Sequence, residues 1–254
     1  EPFIPWELVF LRDPAQRKPE PDAAFLGELG VVRWLVNGYP PEALRIRKGK
    51  ARYVIPAYPA PNELPDAKKE IDMLKKRFGA TEVPAEAEAV YDLLEQPGNF
   101  DLLHFACHGA ADAADIGTAR LEMPGKPRVD GTLSEEDVLA TTVRHEAELR
   151  SDGMQPIVVL NACQSGRSGY TLKGMGGFAE AFIEAGAGVF VGSSWSIGDT
   201  PAFAFMNEFY AQLVDAREPL ATAAAEARKK AREDGDATWL AYVVYGHPRA
   251  KVNP

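Results

Sequence analysis

Residues 156–166 read PIVVLNACQSG, an apolar run followed at once by a polar turn that holds Cys163, one of two cysteines in the chain. Residues 101–109, DLLHFACHG, have the same form: a short apolar run that ends in His108 and Gly109. Apolar runs this short, bounded by turn residues, predict buried strands. Working outward, 66–79 (DAKKEIDMLKKRFG) carries Ile71, Leu74 and Phe78 at spacings of three and four, with Asp66 to cap it and Gly79 to stop it. It predicts an amphipathic helix, and 86–98 (EAEAVYDLLEQPG) predicts a second, ended by Pro97 and Gly98. Beyond Cys163 the alternation continues. Helices are expected over 173–186, 200–216 and 219–233, with strands over 187–195 and 239–246. Strands alternating with helices of this length call for parallel neighbours with helices on both faces, so the fold class is α/β. Ligand chemistry in such sheets sits beyond the carboxyl ends of the strands.

Two regions break the rhythm. Eleven of the twenty prolines fall in residues 1–65, in patches such as RKPEPD and IPAYPAP. Proline fixes φ and removes a donor, so this part is expected as short elements joined by turns. WELVFL (6–11) and ARYVIPA (51–57) are its expected strands, with a helix over 22–37 between them. The division that follows is 1–65, a proline-rich accessory portion, and 66–254, the regular portion that holds both His108 and Cys163. The second break is 111–155, where roughly forty residues separate two core strands, long enough to be functional or disordered. It holds a turn (PGKPRVDG), a short capped helix (TLSEEDVLA) and a polar stretch through RHEAELRSDG whose half of the segment is expected to be mobile.

Composition narrows the function classes. With 46% hydrophobic and 26% charged residues the chain builds a substantial core, and no apolar run reaches the roughly 18 to 20 residues of a membrane span. The first residues, EPFIPWELVF, lack the basic flank and cleavage site of a signal peptide, which predicts a cytoplasmic protein. Starting at Glu1 rather than Met fits a piece of a longer polypeptide. A net charge of -9 argues against direct nucleic-acid binding. Two cysteines by themselves make neither a disulfide framework nor a four-ligand zinc site, so no metal is expected. GMGGFA fits a loose dinucleotide spacing but follows no strand, and ARKKARE (227–233) reads as a solvated helix face.

Cys163 has two readings. Cysteine is among the most buried residue types, so a thiol at a strand end commonly fills core, as Cys107 and His104 are expected to do. Against that, parallel strands ending on one edge would bring Cys163 and His108 together, and an imidazole beside a thiol makes thiolate. Gly109 next to the base lets backbone N–H groups approach an oxyanion. Asn161 and Gln164 suit either positioning of the turn or simple backbone satisfaction.

DLLHFACHG followed by PIVVLNACQSG, then 187–213 (AGVFVGSSWSIGDTPAFAFMNEFYAQL) and 239–248 (WLAYVVYGHP), resembles the CHAT family, caspase-like clan CD cysteine peptidases related to separases and often attached to tetratricopeptide repeats. IPWELVF and LPDAKKEIDMLKKRF extend the likeness over nearly the whole chain. The resemblance implies a caspase-haemoglobinase fold, a mostly parallel sheet of about six strands sandwiched by helices. It implies His108 as base, Cys163 as nucleophile and the N–H groups of Gly109 and Cys163 as oxyanion hole. Asp199 resembles the acidic pocket residue of separases, which cleave after arginine, although it equally suits capping a helix from Thr200 or Pro201. Trp195 and Ser194 would line the cleft wall. The implied activity is a cysteine endopeptidase acting on a protein substrate, activated by a sensor domain or partner, with bacterial antiviral defence as its setting. The alternatives are a silent CHAT-fold scaffold and a thiol hydrolase acting on a small molecule. Arg144 and Arg150 are candidate self-cleavage points.

Overall fold

The computed structural model describes residues 4–11, 24–35, 39–111, 118–124, 137–151, 153–162, 169–171, 174–233 and 235–253, with backbone alone for 169–171 and 174–176. Its centre is a six-stranded sheet built from β1 (Ala51–Val54), β2 (Thr81–Glu82), β3 (Leu102–Ala106), β4 (Ile157–Asn161), β5 (Val189–Ser193) and β6 (Tyr242–Tyr245). The spatial order is β6-β5-β4-β3-β1-β2; every neighbouring pair is parallel except β5 with β6, which is antiparallel. Helices α1 (Ala67–Phe78), α2 (Ala87–Leu94), α3 (Ala140–Glu146), α4 (Phe178–Ala185), α5 (Asp199–Tyr210) and α6 (Leu220–Arg232) cover both faces.

β3, β4, β5 and β6 read as mostly apolar runs because they are buried on both faces, whereas β2 at the sheet edge is polar and exposed. Leu102, Ile157, Val159, Val191, Tyr242 and Val244 point to the layer of α1, α5 and α6, where Leu74, Phe78, Phe205 and Phe209 meet them. Leu103, Phe105, Val158, Leu160, Phe190 and Val243 point the other way, onto Val90, Val143, Phe178 and Phe182 of α2, α3 and α4. Each fully buried side chain of this size contributes about 1.5–3 kcal/mol. Alanines at 223, 224, 227 and 231 give α6 a smooth face toward the core.

α1 ends as expected, at Gly79 in the left-handed region (φ 62), with Lys75, Lys76 and Arg77 in the last turn where the helix dipole favours cations. The proline-rich part supplies β1 to the sheet, so the sheet spans the 65/66 division. Of the helix expected over 22–37, the described residues 24–35 form no α-helix. Ala24–Phe25 pair with Phe10–Leu11, a short 3₁₀ turn covers 26–29, and Gly30 (φ 79) ends it. Two glycines weaken a helix here, and the chain beyond them serves another purpose: Arg33 N–H donates to Val244 O and Arg33 O accepts from Gly246 N–H, which covers the edge of β6. WELVFL keeps only Phe10–Leu11 as strand, since Trp6–Leu8 form a 3₁₀ turn.

Within the second half of 111–155, expected to be mobile, the described residues 137–151 form regular elements that pack on the core. Val138–Leu139 pair with Arg120–Leu121, α3 follows, and Val143 and Leu149 are buried, with Leu149 N–H bonded to Ala185 O at 2.9 Å. Arg144 sits inside α3, paired with Glu180 and Glu184, which is poor presentation for a self-cleavage point. Helix α4 starts at Phe178 rather than 173, because Gly174–Gly176 pair with Gly169–Thr171. ARKKARE is only partly a solvated face: Lys229, Lys230 and Arg232 are exposed, but Arg228 is fully buried.

Candidate active site

β3 and β4 run parallel in a register that sets Ala106 opposite Asn161, and Cys107 N–H to Asn161 O at 3.4 Å carries the pairing one residue further. The loops leaving these strands therefore start on the same, carboxyl, edge of the sheet. His108 begins one. Cys163, two residues past Asn161, and Gln164 lie outside the described residues.

His108 is half-buried and held from three sides. Its backbone N–H donates to Tyr58 Oη at 3.0 Å, the Tyr58 hydroxyl in turn donates to Glu122 O, and the two rings lie 4.4 Å apart. Its Nε2 is 2.8 Å from the backbone carbonyl of Asn62. A carbonyl only accepts, so Nε2 carries the proton and Nδ1 of the neutral ring is the basic nitrogen. Asn62 thus fixes a tautomer. Gly109 follows directly and pairs with Leu121 in a small antiparallel sheet.

Beside His108 opens a small cleft whose walls include Leu64, Ala106, Ala162 and Ile197, and whose acidic groups are Glu70 and Asp199. Asp199 is the first residue of α5, and Gly198 occupies the N-cap position, so Asp199 is not that helix's side-chain cap. Its Oδ2 instead accepts from Asp66 N–H at 2.5 Å, at the entrance to α1. Burial pushes the Asp199 carboxyl above the ordinary aspartate range; the Asp66 N–H opposes this, and the neighbouring carboxylates of Asp66 and Glu70 add to it. Asp66 itself is pulled down, chiefly by Lys69. A carboxyl with a raised folded pKa costs stability where it is ionised and stops doing so as pH falls through that pKa. Asp199→Asn keeps an acceptor for Asp66 and is expected to raise the thermal midpoint at pH 7, with the gain vanishing in acid; calorimetry at the two pH values checks this.

Ser194 and Trp195 stand where the chain leaves β5. Ser194 N–H bonds Ala241 O at 2.8 Å and Trp195 is partly buried against the core, while Ile197 forms the cleft wall at this end. Ser193, buried at the end of β5, places Oγ 2.7 Å from Ala162 O, the carbonyl that directly precedes Cys163. Cys107 is buried, as expected. His104 is also core, fully buried, with Nδ1 2.8 Å from Tyr210 Oη and Nε2 3.0 Å from Glu70 Oε1.

Glu70 is the residue that sequence reading passed over. It sits on α1 with Leu74 and Phe78, one and two turns on, and is as buried as they are. A carboxylate at a core position of an amphipathic helix was the available signal. Its Oε1 also accepts from Asn161 Nδ2 at 2.8 Å, and Asn161 Oδ1 accepts from the Tyr242 hydroxyl. Asn161 therefore bonds side chains across the α1 layer.

The fold is shared with known proteases. The Arg-specific cysteine proteinase gingipain R superposes with a TM-score of 0.56 at 13% identity, over 83% of this chain and 50% of that one. Separase of Saccharomyces cerevisiae, in its complex with securin, gives 0.55 at 15% identity, over 88% of this chain and 14% of that one. The chain thus spans about half of the gingipain chain and a small part of separase. No curated protein sequence matches it significantly. The model of the CHAT domain matches residues 4–247, which is nearly the whole chain, and on that match the chain belongs to the CHAT family, with the sheet and helices of a caspase-like cysteine peptidase.

Proposed function

We propose that this chain is a cysteine endopeptidase with His108 and Cys163 as its dyad, cleaving after a basic residue. The observation that carries this reading is the His108 imidazole at the mouth of an acidic cleft, its Nε2–H held by the Asn62 carbonyl. Nδ1 takes the thiol proton of Cys163, and the thiolate attacks the scissile carbonyl. The N–H groups of Gly109 and Cys163 stabilise the oxyanion. As the tetrahedral adduct collapses to a thioester, His108 gives its proton to the leaving amine. It then deprotonates the water that releases the acid and restores the thiol. Neither metal nor organic cofactor enters this cycle.

Asp199 supplies the charge for a guanidinium or ammonium, and Trp195 and Ser194 flank the bound peptide where β5 ends. The Arg specificity of gingipain R supports a basic preference, and the separase–securin complex supports control by a protein partner. Regulation here falls to a partner or an attached sensor domain such as tetratricopeptide repeats, in the cytoplasm of a bacterium and in antiviral defence. No described helix is long and apolar enough to cross a membrane.

Profiling a peptide library with the protein and its neighbour proteins tests the reading. Cleavage after Arg and Lys that disappears in Cys163→Ala is the expected result. A preference for acidic residues would overturn the pocket, and cleavage persisting in Cys163→Ala would overturn the dyad.

A further inference from the structure

The buried polar groups behind the cleft form a chain with a direction. The Tyr242 hydroxyl donates to Asn161 Oδ1 and Asn161 Nδ2 donates to Glu70 Oε1. On the other side, Tyr210 Oη lies against His104 Nδ1, and His104 Nε2 lies against the same Glu70 Oε1. A carboxylate has only acceptors, so Nε2 of His104 donates to Glu70. Both arms therefore donate toward Glu70, from β3 and from β4, so two converging donors hold Oε1 in place. The arrangement would also pin Glu70 to one rotamer.

Both hydrogen bonds fall on Oε1. Glu70 lines the cleft with Asp199, and Oε2 makes no hydrogen bond among the described residues. The nearby cation, Lys69, is turned to Asp66 and is mostly exposed. The cleft therefore holds two carboxylates from two different helices, one of them locked from behind. A lysine ammonium is a single point charge, whereas a guanidinium spreads five N–H donors over a planar fork that bridges two carboxylates.

We infer that Glu70 is a second specificity-determining residue of the cleft, its Oε2 taking one edge of a substrate guanidinium while Asp199 takes another, so that the pocket selects arginine over lysine before the scissile bond. The inference rests on the cleft being the pocket for that side chain, and it can be tested without turnover. Peptides carrying arginine, lysine or citrulline at the position before the scissile bond are titrated calorimetrically against Cys163→Ala protein. Arginine is expected to bind at least about tenfold tighter than lysine, since a charged hydrogen bond is worth about tenfold or more, and citrulline more weakly still.

Adding Glu70→Gln keeps an acceptor for His104 and Asn161 but turns an amide NH₂ to the cleft. It should weaken arginine by about ten- to a hundredfold while leaving citrulline unchanged. Equal affinity for arginine and lysine in the parent overturns the inference. So does an equal loss for all three peptides in Glu70→Gln, which would mark a merely structural role. If arginine outbinds citrulline in both proteins to the same degree, Glu70 is excluded while the basic pocket stands; if arginine never outbinds citrulline, the basic pocket falls with it.

Discussion

His108→Ala is expected to lower the rate of peptide hydrolysis by about 10²- to 10⁴-fold, the ordinary worth of a positioned general base, and Cys163→Ala to bring it to background. The loss should be large because the base is preorganised. Asn62 O holds Nε2–H, so the nitrogen that must take the thiol proton is basic before substrate arrives. Tyr58 fixes the backbone from which the ring projects, through its bond to His108 N–H. A readout independent of turnover is alkylation by iodoacetamide, which consumes thiolate. Cys107 is buried and serves as the internal slow control. At neutral pH, Cys163 of the unaltered protein should react much faster than Cys163 in His108→Ala. Equal rates in the two proteins would show that His108 does not activate the thiol.

The core of this fold was legible because its strands are buried on both faces. LLHFA, IVVLN and VFVGS have no polar side to confuse their reading, and glycines or polar turns mark their ends. Pairing two such strands by their His-Gly and Ala-Cys exits required only that they be parallel, and the register of Ala106 with Asn161 agrees with that expectation. Where the reading failed, long-range contacts decided the local conformation. FLGELGVVRWL has the periodicity of a helix, but Gly27 packs close to Leu240 and Glu7, and Arg33 pairs with the edge of β6. Nothing within those residues announces the edge that they cover. The same holds for the polar stretch through RHEAELRSDG, which Val143 before it and Leu149 within it anchor to the core.

Charged residues misled in one consistent way. Glu70 and Arg228 sit on helices whose other charged residues face solvent, and helical periodicity alone assigned both to the surface or left them unremarked. Both are buried because polar partners distant in sequence meet them, side chains of β3 and β4 for Glu70 and backbone carbonyls of Gly27, Val31 and Tyr242 for Arg228. The Asn62 carbonyl was equally invisible, since a backbone acceptor has no residue signature; the proline-rich turn that presents it was the nearest clue.

Arg228 carries the second large prediction. It is fully buried on α6, with Nη1 3.1 Å from Gly27 O and 3.4 Å from Val31 O, and Nη2 2.9 Å from Tyr242 O. Glu7, itself buried and bonded to Arg33, lies 4.0 Å away. Burial lowers the guanidinium pKa to about 10 against the pull of Glu7, which still leaves it charged at neutral pH. One side chain therefore ties the N-terminal segment, α6 and the start of β6 together. Arg228→Ala leaves those carbonyls unpaired beside a cavity, with Glu7 still held by Arg33, and should cost about 3–5 kcal/mol of stability. Arg228→Lys should recover little, because an ammonium on a single stem does not reach carbonyls on both sides of the helix. Guanidinium chloride denaturation at pH 7 reads both losses as shifts in midpoint. A shift equivalent to less than about 1 kcal/mol for Arg228→Ala would show that water replaces the clamp. Because Tyr242, whose carbonyl Arg228 holds, donates its hydroxyl to Asn161 at the end of β4, Arg228→Lys should also slow peptide hydrolysis under conditions where it remains folded.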